Sequence, residues 1–336
     1  TPLFSYWKGI AGSFLTTLAP NQNPDCTASK HICPIVNTTE RIPLLLSIPK
    51  GVKPANGWPV AIYQHSITRT RADMLAVADS MAAVGFAVVA IDMPMHGLTG
   101  NETDGSQALY GIGGTQERTF DLDLVTQVGE TVTAPVPDGI TDTTGAHYIN
   151  LTNLQNTRDN VRQSVSDLFS LAYAITEMDY DTGGPDFNTG KIYFIGHSMG
   201  GIVGTTFLAN ENSVKDAVLA FAGGSVAKIL DGSATFGPII AAGLASKGVI
   251  KGTADYESFV GAAQTVVDSG DAINHGVAAA ANHNILLFEI VGGSGSPSDL
   301  VIPNRVADAT APAGTVSAPL AGTEPLIAPF LMNLKH

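Results

Sequence analysis

The sequence predicts an α/β fold with a mostly parallel central sheet and helices on both faces. Three observations carry that expectation. Short apolar runs bounded by turn residues alternate with stretches of helical period. One run, 86–92 (FAVVAID), is continuously apolar, as suits a strand covered on both faces. Another, Ile192 to Ile195, stops abruptly at Gly196-His197-Ser198-Met199-Gly200, with Gly201 and a helical run behind it.

The elements follow in order. Segments 42–48 (IPLLLSI) and 58–64 (WPVAIYQ) read as strands separated by the turn cluster Lys53 to Gly57. Residues 71–84 place Met74, Leu75, Ala78, Met81 and Ala82 at helical spacing, and Gly85 supplies the stop. After strand 86–92 the chain turns rich in Gly, Thr and Asp and loses any sustained period. A structureless loop of that length is uncommon in a compact domain, so 97–155 reads as an insertion packed over the core. A helix over about 156–178 has Val161, Val165, Leu168, Ala172 and Ile175 on one face. Strands are expected at 191–195, 216–222 and 284–291, a small-residue helix at 200–209, and a largely helical insertion at 226–281. The reading is one domain, 1–336, with the two insertions forming a cap or lid.

Composition narrows the function. A hydrophobic fraction of 44% against 14% charged residues, with 36 Gly and 19 Pro, describes an ordered chain with many tight turns. A net charge of −13 without a basic stripe excludes nucleic acid as an expected partner, because phosphate binding needs clustered Lys and Arg. It also disfavours docking on anionic headgroups, leaving a transient apolar contact with a lipid surface open. No apolar run reaches the roughly 20 residues that span a bilayer. The start, Thr1-Pro2-Leu3, reads as a mature or trimmed terminus. Cys26 and Cys33, close together in a Pro/Asn-rich loop, suggest a small disulfide in an exported protein, with two free thiols as the alternative. His31 between them does not complete a metal site, which wants four ligands, and no metal or cofactor is expected.

The Gly-x-Ser-x-Gly turn is the feature with chemistry in it. Between a strand and a helix it makes a nucleophile elbow that projects Ser198 above the sheet and points the Met199 N–H, at a helix N-terminus, toward a developing oxyanion. A second oxyanion N–H is expected from the loop after strand 58–64 (IYQHSITR), with Ile67 as the candidate. His65 and Ser66 in that loop and His197 in the elbow are candidate substrate-side residues, though His65 and His96 read more readily as histidines bracing their loops and His197 as packing. An acid is expected after a late strand: Asp299, in the loop following 284–291, with Asp271 and Glu289 as rivals. The chain order serine, acid, histidine leaves only His336 after Asp299. The base is therefore either that last residue or a histidine beyond it, His275 and His283 preceding the acid. Pro329 argues against a central strand in 324–335.

YQHSITRT, IDMPMHG, RDNVRQSVSDL (158–168), GHSMGG and SDLVIPN, in this order, resemble the bacterial exported lipases of the virulence-factor type, including surface-exposed lysophospholipases. The likeness runs over nearly the whole chain and includes PDGITDTTGAHYINLTNL (137–154), where Asp138 and Asp142 could hold a cation or serve turns. It implies an α/β-hydrolase fold, a secreted or outer-membrane-attached location, and cleavage of lipid acyl esters, with Ser198 at the nucleophile position and Asp299 at that of the acid. Members of the group often run longer, with the histidine further along. The expected substrate is thus a small lipid or ester; a short-chain esterase or polyester hydrolase is the second reading, and a non-catalytic lipid-binding or adhesion module the third.

Overall fold

A computed structural model of the chain describes residues 39–99, 117–119, 142–151, 154–306 and 313–332. Its centre is a six-stranded sheet, β1 (Leu44–Ser47), β2 (Trp58–Gln64), β3 (Ala87–Ile91), β4 (Phe187–His197), β5 (Val214–Ala220) and β6 (Asn284–Phe288). The order across the sheet is β1-β3-β2-β4-β5-β6, with β1 antiparallel to β3 and every other pair parallel. Expected strands and observed strands coincide within a few residues; 284–291 stops three residues early, at Phe288.

The alternation of side chains along each strand sends two sets to two faces. Val60, Ile62, Val89, Ile192 and Phe194 meet α2 (Leu154–Ile175) and α3 (Met199–Leu208) in the main core. Tyr63, Val88 and Ala90 meet Met74 in a smaller cluster that borders α1 (Leu75–Ala83). The helix expected over 71–84 therefore begins one turn late. Thr70 accepts the Ala72 N–H, Arg71–Met74 form a 3-10 turn, and the α-helix starts at Leu75.

The insertion 226–281 divides. α4 (Val226–Gly232), α5 (Gly237–Ala245) and α6 (Ala254–Val267) form a group with its own core of Leu244, Tyr256 and Val260, and α6 leans on α2. α7 (Gly276–Asn282) belongs to the sheet layer instead, packed against α3, and α8 (Thr323–Met332) packs on α7. Helix α8 contains Pro329, so 324–335 is no strand over its described part. Of the insertion 97–155, only 97–99, 117–119, 142–151 and 154–155 are described, and they lie against the loop after β2 and on α2. Among the described residues no helix is long and apolar enough to cross a membrane.

Among the described residues, the face carrying Tyr63 and Ile195 is covered only in part, by the α1 side. Beyond α1 lies an apolar groove with an empty volume of about 920 Å³, lined by Met81, Phe86, Tyr193, Val218 and Leu286 among others. At its rim Leu286 and Phe288, on the edge strand β6, are 55% and 48% exposed.

Candidate active site

Ser198 sits where β4 ends and α3 begins, at φ 53° and ψ −115°. A side chain other than glycine reaches that region only under strain, and strain of this kind is held by surrounding contacts. The contacts are visible. The Ser198 N–H donates to the Ala220 carbonyl at 2.7 Å, and the Ser198 carbonyl accepts from Gly201 and Ile202. The flanking glycines leave no room for a Cβ. One on Gly200 would stand 2.2 Å from the Gln64 carbonyl oxygen, one on Gly196 2.6 Å from the Gly200 oxygen, and one on Gly201 2.8 Å from Ala222. The elbow is thus wedged against the end of β2, which carries the other half of the site.

That other half is the loop 65–70. Its Ile67 shares a pocket with Ser198 and Met199, of about 360 Å³ empty volume and otherwise apolar. The fold brings together the serine, the helix N-terminus behind it and the loop expected to supply the second N–H. The loop is braced from beneath by two buried histidines. His65 donates from Nδ1 to the Ser66 carbonyl at 2.7 Å and accepts the Met93 N–H at Nε2. His96 accepts the Thr68 N–H at Nε2, and its Nδ1 lies 2.8 Å from the Pro94 carbonyl. Thr68 itself is at φ 62°. Burial holds the His65 imidazole down at about 3 and pushes His96 well below the usual histidine range. His65 has no exposed surface, so the expectation that it contacts substrate gives way to bracing; Ser66 is nearly as buried. His197, half-buried, packs edge-on against Phe221, and burial lowers its basicity too.

Asp299 stands in the loop past β6, its N–H bonded to the Ile290 carbonyl. Oδ1 accepts from the Val301 and Ile302 N–H groups at 2.8 and 3.0 Å, while Val301 and Ile302 line the serine pocket. The carboxylate is thereby fixed through one oxygen beside the pocket. The rivals are occupied elsewhere. Asp271 accepts from the Ser225, Val226 and Ile273 N–H groups and from Gln264, tying down the start of α4. Glu289 accepts from Asn304.

No histidine among the described residues is hydrogen-bonded to the Ser198 hydroxyl. His283 bonds the Leu208 carbonyl at the far end of α3, and His275 the Ser269 carbonyl. His336, Cys26, Cys33 and Asp138 lie outside the described residues. Asp142 is buried 3.0 Å from Nε2 of His147.

A buried charge network behind the loop went unnoticed in the sequence. Arg71 pairs with Asp92 and, at 2.7 and 2.8 Å, with Glu117; Arg118 bonds the Asp92 carbonyl and Asp167. Burial pushes the Asp92 carboxyl up, against the pull of Arg71. The network ties 117–119 to the oxyanion-side loop, and isolated Arg and Asp letters gave no sign of it. The other acidic group, Asp179, Asp181 and Asp186, lies at the opposite end of β4, where Lys53 pairs with Asp181 and Asp186.

The sheet order and the strand-to-helix elbow at Ser198 are those of an α/β-hydrolase fold. The sequence matches no family model and no curated protein. Among solved structures the chain is similar to acetyl xylan esterase 1 from a Thermoanaerobacterium species, at 19% identity over 74% of this chain and 72% of that one, TM-score 0.41. An acetyl xylan esterase from a Paenibacillus species matches at 15% identity over 76% and 75%, TM-score 0.38. Est1E from Butyrivibrio proteoclasticus, solved with ferulic acid bound, matches at 16% identity, TM-score 0.31, over 56% of this chain; the match spans about half, 51%, of Est1E.

Proposed function

We propose that the protein is a carboxylic ester hydrolase acting through an acyl-enzyme on Ser198. The observation that carries the reading is the strained serine, wedged at φ 53° and opening into one pocket with Ile67 and Met199. A scaffold that holds a serine in that conformation is spending stability on its position.

In the first step a histidine takes the Ser198 proton while the oxygen attacks the ester carbonyl. The Met199 and Ile67 N–H groups receive the oxyanion, and the histidine returns its proton to the departing alcohol. Water then attacks the acyl-serine by the same route. Asp299 orients the histidine through the carboxylate oxygen not occupied by Val301 and Ile302. Chain order assigns the base to His336, which follows α8.

For the substrate, the apolar pocket favours an ester with a hydrocarbon arm, and the resemblance to exported virulence-factor lipases favours lipid acyl esters met at a lipid surface outside the cell. Short-chain or polyester hydrolysis is separated by a chain-length series of p-nitrophenyl esters. A fluorophosphonate should label Ser198 and mass mapping should find the adduct there. Labelling that persists in Ser198→Ala overturns the reading, and no labelling at all makes the protein a lipid-binding module.

A further inference from the structure

Ile149, Val226 and Leu230 line both the pocket at Ser198 and an adjoining slot between α2 and the cap helices α4, α5 and α6. The slot walls are hydrocarbon apart from two residues, Thr157, whose hydroxyl is taken up by the Asn150 backbone, and Asp231. Asp231 is 1% exposed. Its Oδ1 accepts from the Lys251 ammonium at 2.6 Å and the Tyr256 hydroxyl at 2.8 Å. Its Oδ2 is buried and has no hydrogen-bond partner among the described residues.

A carboxylate oxygen shut away from water without a donor is costly, and native structures seldom leave one so. Lys251 already balances the charge, so what is lacking is a neutral donor, not a cation. The surrounding apolar wall fixes the rest of the ligand, because only a hydrocarbon chain fits it without stranding polar groups of its own.

Building on the ester-hydrolase reading, we propose that this slot takes one arm of the ester, a mostly apolar chain bearing a hydroxyl that donates to Oδ2 of Asp231. The preferred substrates are then esters of hydroxy-substituted chains, and Asp231 is the residue that selects them. The hydroxyl sits on either the acyl or the alcohol arm, whichever enters the slot.

The test is equilibrium binding to the full chain carrying Ser198→Ala, measured by calorimetry. Methyl octanoate is compared with methyl octanoates hydroxylated at successive carbons, and octyl acetate with the corresponding mono-acetylated diols. One hydroxyl position in one series should tighten binding by about 10- to 100-fold, the effect of a hydrogen bond to a charged group. The series that shows it identifies the arm. A methoxy group at the same carbon should lose the gain. In Asp231→Asn the amide oxygen can keep Lys251 and Tyr256 while its NH₂ faces the slot, and since hydroxyl and methoxy oxygens both accept, the hydroxyl's advantage over methoxy should disappear. Equal binding of plain and hydroxylated chains in both series overturns the proposal, with or without a folded Asp231→Asn protein. Hydroxyl preference without fluorophosphonate labelling of Ser198 removes the hydrolase reading alone. Labelling without preference removes the slot alone.

Discussion

The two ends of one parallel sheet row are built to opposite standards. At the elbow, β4 turns into α3 with a backbone approach so close that a single methyl group on Gly200 collides with β2. Two strands away, β6 has no further strand beside it among the described residues, and Leu286 and Phe288 are 55% and 48% exposed. Neighbouring positions show the contrast: Leu219 on β5 is fully buried, while Leu286, beside Val218 across the ladder, is 55% exposed. Parallel sheets are stable when both faces are covered. The difference teaches that Ser198 is held by close backbone contacts, whereas Asp299 follows a strand whose outer side the described residues leave open.

The contrast can be broken in order of expected effect. Gly200→Ala should cost about 4 kcal/mol or more, since the clash is with backbone that cannot swing away, and it should abolish labelling of Ser198; chemical denaturation and fluorophosphonate labelling report both. Leu219→Ala should cost about 3 kcal/mol in the same denaturation experiment, the usual toll for emptying a core leucine site.

A pH series sharpens the covered side. His65 and His96 are kept neutral by burial, below the basicity they recover on unfolding. The unfolded chain therefore binds the extra protons. Stability should be complete above pH about 6.5 and fall as pH drops toward 3, by up to about 1.4 kcal/mol per pH unit for each ring. His65→Gln should flatten that slope, and an unchanged slope would mean that the rings titrate freely.

The smallest effect is expected at the open edge. Leu286→Ser should alter stability by no more than about 0.5 kcal/mol and should reduce binding of an apolar dye. If it costs as much as Leu219→Ala, the groove is occupied in solution by a second copy, and sedimentation at rising concentration would reveal that.

Most of this framework was legible. The runs WPVAIYQ, FAVVAID and KIYFI are strands because apolar side chains of that density need two covered faces, and Gly196, Ser198 and Gly200 announce their turn through steric need alone. Asp299 could be singled out because chain order and Pro303 behind it mark a loop after a late strand. Position within the sheet was not legible. NILLF reads like a central strand, yet it ends up at an edge, since hydrophobicity records what a segment can bury and not what is there to bury it. Nor could the cap be separated from α7 within 226–281, both being apolar helices. The Arg71 network and the lone oxygen of Asp231 depend on contacts between residues far apart in sequence, such as Asp231 with Tyr256 and Lys251, and no spacing rule reports them.

The wedged elbow has a consequence for folding. Ser198 reaches its conformation only when Gly200 meets the chain at Gln64 and its own N–H meets Ala220, so a contact spanning more than a hundred residues, Gly200 with Gln64, must close first. Closure of that range is slow and comes after local helices have formed. A labelled serine is therefore a late clock: the rate at which reactivity returns after dilution from denaturant times the completion of the sheet, and a chain that has regained its helices but not its β2–β4 ladder will be silent.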